Sequence, residues 1–262
     1  MIEIAFVGDI MLARGVGRYL SENYSHSILS EPVKEVLAGA DLCIGNLESP
    51  VAVNAKPYKK GAFKAYPESL KQVNVFDIFS LANNHIKDCG TEGAIETTEF
   101  LKKNSFEFCG LSSDQTMHVI SLIKTVKEKK IAFFACAVPD CIKNVKDNDY
   151  PNVIDATSKK LLEAIRNQRD IVNYTIILVH GGNEMIPYPE PSFRALCQQF
   201  IENGADIVVT SHPHVLGGYE KYKTGCIFYS LGDFIFAADS FLRRESAILK
   251  IKIKDTISWE YI

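Results

Sequence analysis

The chain has 262 residues, 47% of them hydrophobic, which suits a single globular domain spanning residues 1–262 with a large core. Its 29 Lys and Arg residues against 32 Asp and Glu give a formal net charge of -3, so the basic surface that nucleic-acid binding requires is missing and nucleic acid is not expected as the main partner. No apolar run approaches the roughly 18 residues of a membrane-spanning helix, so no membrane segment is predicted.

The seven cysteines are odd in number and include no C-x-x-C pair. This pattern argues for reduced thiols and against a disulfide framework, and it predicts a cytoplasmic protein. It also argues against a structural zinc site, which needs four Cys or Cys and His ligands at short spacing.

Strand-like apolar runs alternate with helical patterns along the chain. The predicted strands are Ile2–Val7, Leu42–Gly45, Ile78–Ala82, His118–Thr125, Ile131–Ala137, Thr175–Val179, Ile207–Thr210, Cys226–Ser230 and Ala247–Ile253. The clearest predicted helices are Thr91–Asn104, Thr157–Asn167 and Phe193–Asn203. Strand followed by helix, repeated, predicts an α/β protein.

Two further segments shape this prediction. Asp140–Asn152 is rich in Asn, Asp and Lys and is typical of a long surface loop. The final third is rich in strands, and Tyr222–Gly225 is typical of a hairpin turn, so we expect a mixed sheet or a second sheet.

Two carboxylates follow the first two predicted strands. Asp9 comes directly after Gly8 at the end of the first strand and is a strong metal-ligand candidate, the alternative being an Asx turn that closes the strand. Asn46 and Glu48 follow the second strand two residues apart, a spacing that points both side chains to one side if the backbone stays extended. The alternative for Glu48 is a solvated loop acid.

Four of the six histidines also stand just past a predicted strand. His85 follows Asn84 after the third strand, His180 precedes two glycines, and His212 and His214 flank Pro213. Pro213 fixes its own φ and biases His212 toward an extended backbone, which would present two imidazoles from a stiff loop. The alternative is loop histidines with no shared task. Ligand sites in open α/β sheets form beyond the carboxyl ends of the strands, so the placement favours one shared site.

These side chains together suit divalent cations. Carboxylate, imidazole and amide oxygen bind hard and borderline cations, and a pair of cations about 3.5–4 Å apart needs a bridging carboxylate. A pair of cations lowers the pKa of a bridging water and clamps the attacking and leaving oxygens of phosphoryl transfer.

Six short motifs occur in an order that resembles the CapA-like poly-gamma-glutamate capsule biosynthesis family, which is similar to calcineurin-like metallophosphoesterases. They are Gly8-Asp9, Gly45-Asn46-Leu47-Glu48, Ala82-Asn83-Asn84-His85, His180-Gly-Gly-Asn-Glu184, Ser211-His212-Pro213-His214 and Tyr229-Ser-Leu-Gly-Asp-Phe234. The resemblance covers Phe6 to Phe236. It implies a four-layer α-β-β-α sandwich with a dinuclear metal site on one edge.

The resemblance also implies roles for single residues. Asp9 and His214 would bind one metal, Asn84, His180 and His212 the other, with Glu48 as the bridge and His85 as the catalytic general acid. The cofactors would be two divalent ions, Mn, Fe or Zn. Three departures affect these expectations. Met11 stands where phosphoesterases usually have a histidine, which predicts a first metal that is weakly held or absent. Gly181 and Asp233 replace the tryptophan and asparagine common in the capsule family, which predicts a substrate pocket that differs in detail from the family's.

Polar residues in matching segments are candidates for binding the substrate. They are Arg14, Asn46, Lys64 and Glu184. Arg14 could hold a phosphate or carboxylate through two hydrogen bonds. For Arg14, Lys64 and Glu184 the alternative is an ordinary surface charge.

The residues and the resemblance together support one main functional hypothesis and two rivals. The main hypothesis is a dinuclear metal-dependent hydrolase that attacks a phosphoester with a metal-bridging hydroxide. The first rival is a capsule biosynthesis or export protein that binds or processes poly-gamma-glutamate or a related anionic polymer. The second is a degenerate fold without metal. In the first two, the partner is a small-molecule or polymeric anionic substrate.

Overall fold

A computed structural model describes residues 1–23, 26–58, 61–112, 119–142, 150–237 and 240–262. The strands are β1 Ile2–Ile10, β2 Leu42–Leu47, β3 Ile78–Ser80, β4 Glu107–Cys109, β5 Leu122–Val126, β6 Lys129–Ala137, β7 Tyr174–His180, β8 Ile207–Ser211, β9 Tyr219–Tyr222, β10 Gly225–Phe228, β11 Asp233–Ile235, β12 Leu249–Ile253 and β13 Ile257–Tyr261. The helices are α1 Arg14–Glu22, α2 Glu31–Ala38, α3 Gly90–Lys103, α4 Pro139–Ile142, α5 Lys159–Gln168 and α6 Pro191–Glu202, with short 3-10 helices at Pro67–Val73 and Phe241–Arg244.

The strands form two sheets. The first has the order β13-β12-β1-β2-β3-β4. Strand β12 pairs with the amino-terminal part of β1, and β11 pairs with the carboxyl end of β1 on the same side. The second has the order β5-β6-β7-β8-β10-β9. Strands β1 to β4 run parallel in the first sheet, and β6, β7, β8 and β10 run parallel in the second. Each sheet therefore gathers several carboxyl ends at one edge.

Side-chain alternation along the central strands determines the layers. In β6, Ile131, Phe133 and Ala135 belong to the core that also contains β1, β2 and β3, whereas Phe134 and Cys136 pack with α5 and α6. Because successive residues of a strand point to opposite faces, the first set lies between the sheets and the second beneath the helices. Residues of α2 and α3 pack on the first sheet. The four-layer α-β-β-α sandwich is confirmed.

Most predicted elements are present with shifted ends. Strand β3 is shorter than expected, since it ends at Ser80, and β5 begins at Leu122; residues 113–118, and with them His118, lie outside the described residues. The hairpin turn between β9 and β10 is confirmed. The loop predicted for 140–152 is wrong at its start, where Asp140–Ile142 belong to α4, and residues 143–149 lie outside the described part. Strands β4, β9, β11 and β13 were not predicted.

All seven cysteines are described and none forms a disulfide, as expected. Burial raises the pKa of the Cys43 and Cys109 thiols to about 12, which makes these thiols unreactive. Among the described residues, no helix combines the length and apolar character needed to cross a bilayer.

A close contact between two glycines brings β11 against β1. Asp9 N–H donates to the Gly232 carbonyl at 3.0 Å, and a Cβ added at Gly8 would lie 1.8 Å from that same oxygen. Gly232 itself has φ +75°, which disfavours other residues. The pairing of β1 with both β2 and β11 is irregular next to Asp9, and such irregularities re-aim side chains. These glycines therefore set the position of Asp9.

We expect Gly8→Ala to lower the melting temperature by roughly 2–12 °C, because relieving the clash costs about 1–3 kcal/mol and each kcal/mol shifts Tm by about 2–4 °C at this size. Gly218→Ala is the matched control, because a Cβ there meets no atom within 4 Å. Thermal unfolding followed by circular dichroism measures both. Equal melting temperatures for the two variants would show that β11 does not depend on this contact.

Candidate metal centre

The candidate residues gather where the carboxyl ends of the two sheets meet. Asp9 is the penultimate residue of β1, Glu48 follows β2 directly, and His180 is the last residue of β7. Asn84 and His85 lie in the turns after β3, and His212 and His214 follow β8. The two sheets thus contribute to one cluster, as their placement after strands predicts.

Glu48 lies at the centre of this cluster. It is 0% exposed, and neither carboxylate oxygen has a hydrogen-bond partner among the described residues. Its Oε1 lies 3.8 Å from His180 Nε2, 3.9 Å from His214 Nε2 and 4.0 Å from His85 Nε2. Burial, together with the charge of Asp9, raises the pKa of Glu48 well above its ordinary value. The solvated-acid alternative for Glu48 is wrong.

Two sets of ligand-type side chains share Glu48. Asp9, Glu48 and His214 form one, Glu48, His180 and His212 form the other, and the ligand atoms within each set lie within 4.8 Å of one another. Two ligand atoms bound to one cation at about 2.0–2.3 Å lie within roughly 4.6 Å of each other, so each set can close on a cation with small movements.

Asp9 is buried yet well satisfied. Oδ1 accepts from Asn46 Nδ2 at 2.8 Å, and Oδ2 accepts from the His212 backbone N–H at 3.2 Å. Oδ2 also lies 3.3 Å from His214 Nδ1. Burial alone would raise the pKa of Asp9, but the hydrogen bond and charge of His214 outweigh it and lower the pKa well below the ordinary value. Asp9 therefore remains ionised inside the protein. Its contacts extend across the site, which an Asx turn at the strand end does not explain.

His180 has polar neighbours at both ring nitrogens. Its Nδ1 lies 3.0 Å from Ser211 Oγ and 3.3 Å from Asn46 Nδ2, while Nε2 lies 3.0 Å from Asn84 Oδ1. Burial, followed by the neighbouring His212, lowers the pKa of His180 well below its ordinary value, so the ring is neutral and able to bind a cation. The ring edge that carries Nε2 points toward Asn84 and Glu48.

His212 has an unusual backbone. Its φ is +104°, so the prediction of an extended backbone before Pro213 is wrong. His214 also has a positive φ, +60°. A non-glycine residue in this region costs of order 1–3 kcal/mol and persists where the surroundings enforce it. The Nδ1 of His212 is buried and has no hydrogen-bond partner among the described residues. Burial lowers the pKa of His212, which favours the neutral ring with one nitrogen free of a proton.

His214 has two carboxylates near one ring nitrogen. Its Nδ1 lies 2.7 Å from Asp233 Oδ1, closer than Asp9 Oδ2. Burial works to lower the pKa of His214, but the hydrogen bonds to Asp233 and Asp9 raise it to about 11. Its Nε2 faces Glu48.

His85 lies at the opening of the pocket and is fixed differently from the other histidines. Its Nδ1 lies 2.9 Å from Asp88 Oδ2, and that oxygen also accepts from the Phe63 N–H at 2.7 Å. The Phe63 ring packs against the imidazole with its centroid 4.2 Å away. The His85 side chain is 24% exposed, compared with 0% for Glu48. It is therefore the site histidine that solvent reaches best.

The predicted substrate residues lie in different surroundings. Arg14 is exposed, stacks over the Phe63 ring at 3.9 Å and donates to the Gly61 carbonyl. Glu184 is exposed and forms a ligand-type set with His212 and His214. Lys64 donates to the Val53 and Ala55 carbonyls. Asn46 is buried among Asp9, His180 and Asn83, contacts that orient its neighbours; its predicted role with substrate stays a prediction.

The departures noted in the sequence have physical counterparts. Met11 is buried in the hydrophobic core, so it offers no nitrogen or oxygen ligand from its side chain. A Cβ at Gly181 would lie 2.4 Å from Val138 Cγ2 and 2.8 Å from Phe193 Cε2, so a tryptophan would not fit there. The packing around Gly181 therefore accommodates glycine but no larger residue.

Sequence reasoning missed several supporting residues. Asn83 donates to Asn46 Oδ1 and the Leu47 carbonyl and accepts from the backbone of His85 and Ile86. Asp88 stands three residues after His85, and this spacing, which can bring two side chains together within one turn, was the available signal. Ser211 and Asp233 belong to two of the six motifs that carry the family resemblance. Arg243, which donates to Asp233, carries no local signal.

Three relatives illustrate what the chain resembles. It is 28% identical to the capsule biosynthesis protein CapA of Bacillus anthracis over 97% of this chain and 64% of that protein. It is 30% identical to the PGA biosynthesis protein CapA of Bacillus subtilis over 97% of this chain and 68% of that protein. The chain therefore spans about two thirds of the length of these relatives. The NAD nucleotidase of Haemophilus influenzae matches 99% of this chain and 49% of its own, with TM-score 0.58 and 17% identity.

The structural match shows a metallophosphoesterase-like fold, and two sheets between helix layers agree with it. The model of the bacterial capsule synthesis protein PGA_cap family matches residues 3–238. The chain therefore belongs to the bacterial capsule synthesis protein PGA_cap family.

Proposed function

We propose that this protein is a metal-dependent hydrolase of phosphoesters that holds two divalent cations. The observation that carries the proposal is the buried Glu48 carboxylate, which has no hydrogen-bond partner among the described residues and has three imidazole nitrogens 3.8 to 4.0 Å away. A buried carboxylate without compensation costs several kcal/mol, and a cation is the natural compensation.

The ligand roles follow the two sets that share Glu48. In this proposal Asp9 and His214 hold one cation, Asn84, His180 and His212 hold the other, and Glu48 bridges them. Both Glu48 oxygens and His212 Nδ1 have no hydrogen-bond partner among the described residues, and they are ligand atoms of the type that Mn, Fe or Zn accepts. When bound, two such ions supply a water of lowered pKa and neutralise the charge of a phosphoryl group.

His85 is the proposed general acid. Asp88 Oδ2 lies 2.9 Å from Nδ1 and would accept the proton of that nitrogen, which leaves Nε2–H to donate to a leaving oxygen. Nε2 faces Glu48 across 4.0 Å, so a substrate at the metal centre would lie within its reach. Its partial exposure gives it access to replacement protons.

Charged residues at the rim would orient the substrate. The Arg14 guanidinium, fixed over Phe63 beside His85, is placed to pair with an anionic group. Glu184, which is exposed and near His212 and His214, would favour a donor group on the substrate. The side chains of Lys64 and Asn46 already have protein partners, and their role in substrate binding stays a prediction.

A second candidate function follows from the family. The relatives are named for capsule and PGA biosynthesis, so the same site would bind or process an anionic capsule polymer. A cation pair recognises carboxylates as well as phosphates, and the two candidates therefore predict the same ligands. They differ in whether phosphoesters are turned over.

We expect Glu48→Gln to leave the metal-free protein as stable as the parent or more stable, because it removes a buried charge, and to abolish most of the stabilisation by added Mn²⁺. In the parent, Mn²⁺ at about 100 times its Kd should stabilise the fold by about 2.7 kcal/mol. Calorimetric scans of EDTA-treated protein, with and without Mn²⁺, measure both quantities.

The control is Glu163→Gln, an exposed acid on α5, which should respond to Mn²⁺ like the parent. If Mn²⁺ stabilises Glu48→Gln as much as the parent, Glu48 is not a ligand. If no divalent ion stabilises the parent, the metal proposal fails.

A second prediction separates proton donation from metal binding. His85→Ala should keep its metal content and lower kcat by roughly 10²- to 10⁴-fold, with a smaller loss on nitrophenyl esters, whose leaving oxygen needs no proton. His212→Ala should lose one cation and its activity whatever the leaving group. Elemental analysis and steady-state kinetics on a phosphoester panel measure both.

His26→Ala, which changes a histidine outside the site, serves as the control for both variants. Equal metal loss in His85→Ala and His212→Ala would make His85 a ligand and overturn its role as acid. If neither variant alters turnover of any phosphoester while binding of poly-gamma-glutamate weakens, the capsule-polymer function replaces the hydrolase.

A further inference from the structure

Asp233 is a buried carboxylate that belongs to neither set of proposed ligands. It begins β11, is 7% exposed, and both of its oxygens have partners. Oδ1 lies 2.7 Å from His214 Nδ1, and Oδ2 accepts from Arg243 Nε at 2.8 Å. The carboxylate therefore links a histidine of the metal centre to an arginine outside it.

The strand pairing brings two carboxylates to the same imidazole. Asp9 and Asp233 are paired in register across β1 and β11, and the Gly8–Gly232 contact holds those strands together. His214 Nδ1 lies 2.7 Å from Asp233 but 3.3 Å from Asp9. Because Nδ1 carries one proton, the nearer acceptor takes the stronger hydrogen bond. Because Asp233 accepts this hydrogen bond, Asp9 does not need to, and Asp9 Oδ2 stays available to bind a cation.

The same contact determines which nitrogen His214 offers. With the Nδ1 proton directed at Asp233, Nε2 is the nitrogen left to bind a cation, and it faces Glu48 Oε1 at 3.9 Å. A carboxylate behind a ligand histidine also raises the basicity of the ring. Asp233 thus fixes both the orientation and the strength of this ligand.

Arg243 holds the carboxylate from behind. Its guanidinium lies over the Phe236 ring at 4.4 Å, and that ring packs edge-on to His214 at 5.1 Å. Arg243, Phe236 and Asp233 therefore surround the outer face of His214. The charge-assisted hydrogen bond from Nε fixes the position of the Asp233 carboxyl group behind His214.

We infer that Asp233 and Arg243 are a positioning pair that holds His214 with Nε2 toward Glu48 and so sets the affinity of one of the two cation positions. The inference rests on the proposed metal centre. The pair contributes no ligand atom itself, and its effect is confined to the position shared by Asp9, Glu48 and His214.

The test is titration of EDTA-treated variants with Mn²⁺ in a calorimeter, together with ¹⁵N NMR of the metal-free histidines. Asp233→Asn should weaken one of two binding events by about 10- to 100-fold and leave the other within about twofold. Asp233→Ala should weaken it further, and Arg243→Gln should give an intermediate loss. The NMR spectrum of the parent should show a slowly exchanging His214 Nδ1–H that Asp233→Ala loses.

Asp41→Asn is the matched control, because Asp41 pairs with Lys127 and caps Glu3 N–H before β2, away from the carboxyl ends. Unchanged affinities in both Asp233 variants, or equal losses at both cation positions, would overturn the inference while leaving the metal centre intact. If the parent binds no Mn²⁺, the proposed function fails, and the NMR signal alone then decides the pair: a His214 Nδ1–H unaffected by Asp233→Ala refutes it.

Discussion

The organisation of this site depends on one electrostatic constraint, the burial of the Glu48 carboxylate. A glutamate with no exposed surface and no hydrogen-bond donor among the described residues is costly in any fold. Its neighbours are imidazole nitrogens just beyond hydrogen-bond distance, a spacing that leaves room for a cation. Without one, burial and the charge of Asp9 push the pKa of Glu48 upward, so the protein alone does not satisfy this group.

The rest of the architecture holds the proposed ligands around that carboxylate. Parallel strands of two sheets bring Asp9 and His180 to the same edge, and a positive φ at His212 and His214 turns both imidazoles inward. Strain of this kind persists where the surroundings enforce it. Here the surroundings include Asp9, whose Oδ2 accepts from the His212 N–H. Asn46 and Asn83 connect the segments after the strands by side-chain hydrogen bonds, which orient Asp9 within the cluster.

The sequence predicts this site well where the signal is local. Apolar runs that end near Asp9, His180 or His212 predict both the strand and the polar residue at its end, so the α/β class and the cluster follow from them, whereas the four layers were implied by the family resemblance. The burial of Glu48 was not predictable, because glutamate is usually solvated and only the sheet pairing encloses it. Lys64 illustrates the converse, since its contacts with two backbone carbonyls depend on a loop path that no periodicity encodes. The Arg243 contact with Asp233 joins segments through tertiary structure alone.

Family membership and site geometry bear on different parts of function. The relatives are named for capsule synthesis, whereas the fold is metallophosphoesterase-like, and the proposed cation pair rests on the side chains around Glu48. Both candidate functions depend on one proposal, that two cations lie on either side of Glu48. A crystal structure of Mn²⁺-soaked protein, with anomalous data recorded near the manganese edge, measures this directly. The account predicts two anomalous peaks that share the Glu48 carboxylate, and a pocket without a peak, or with a single ion that Glu48 does not contact, would contradict it.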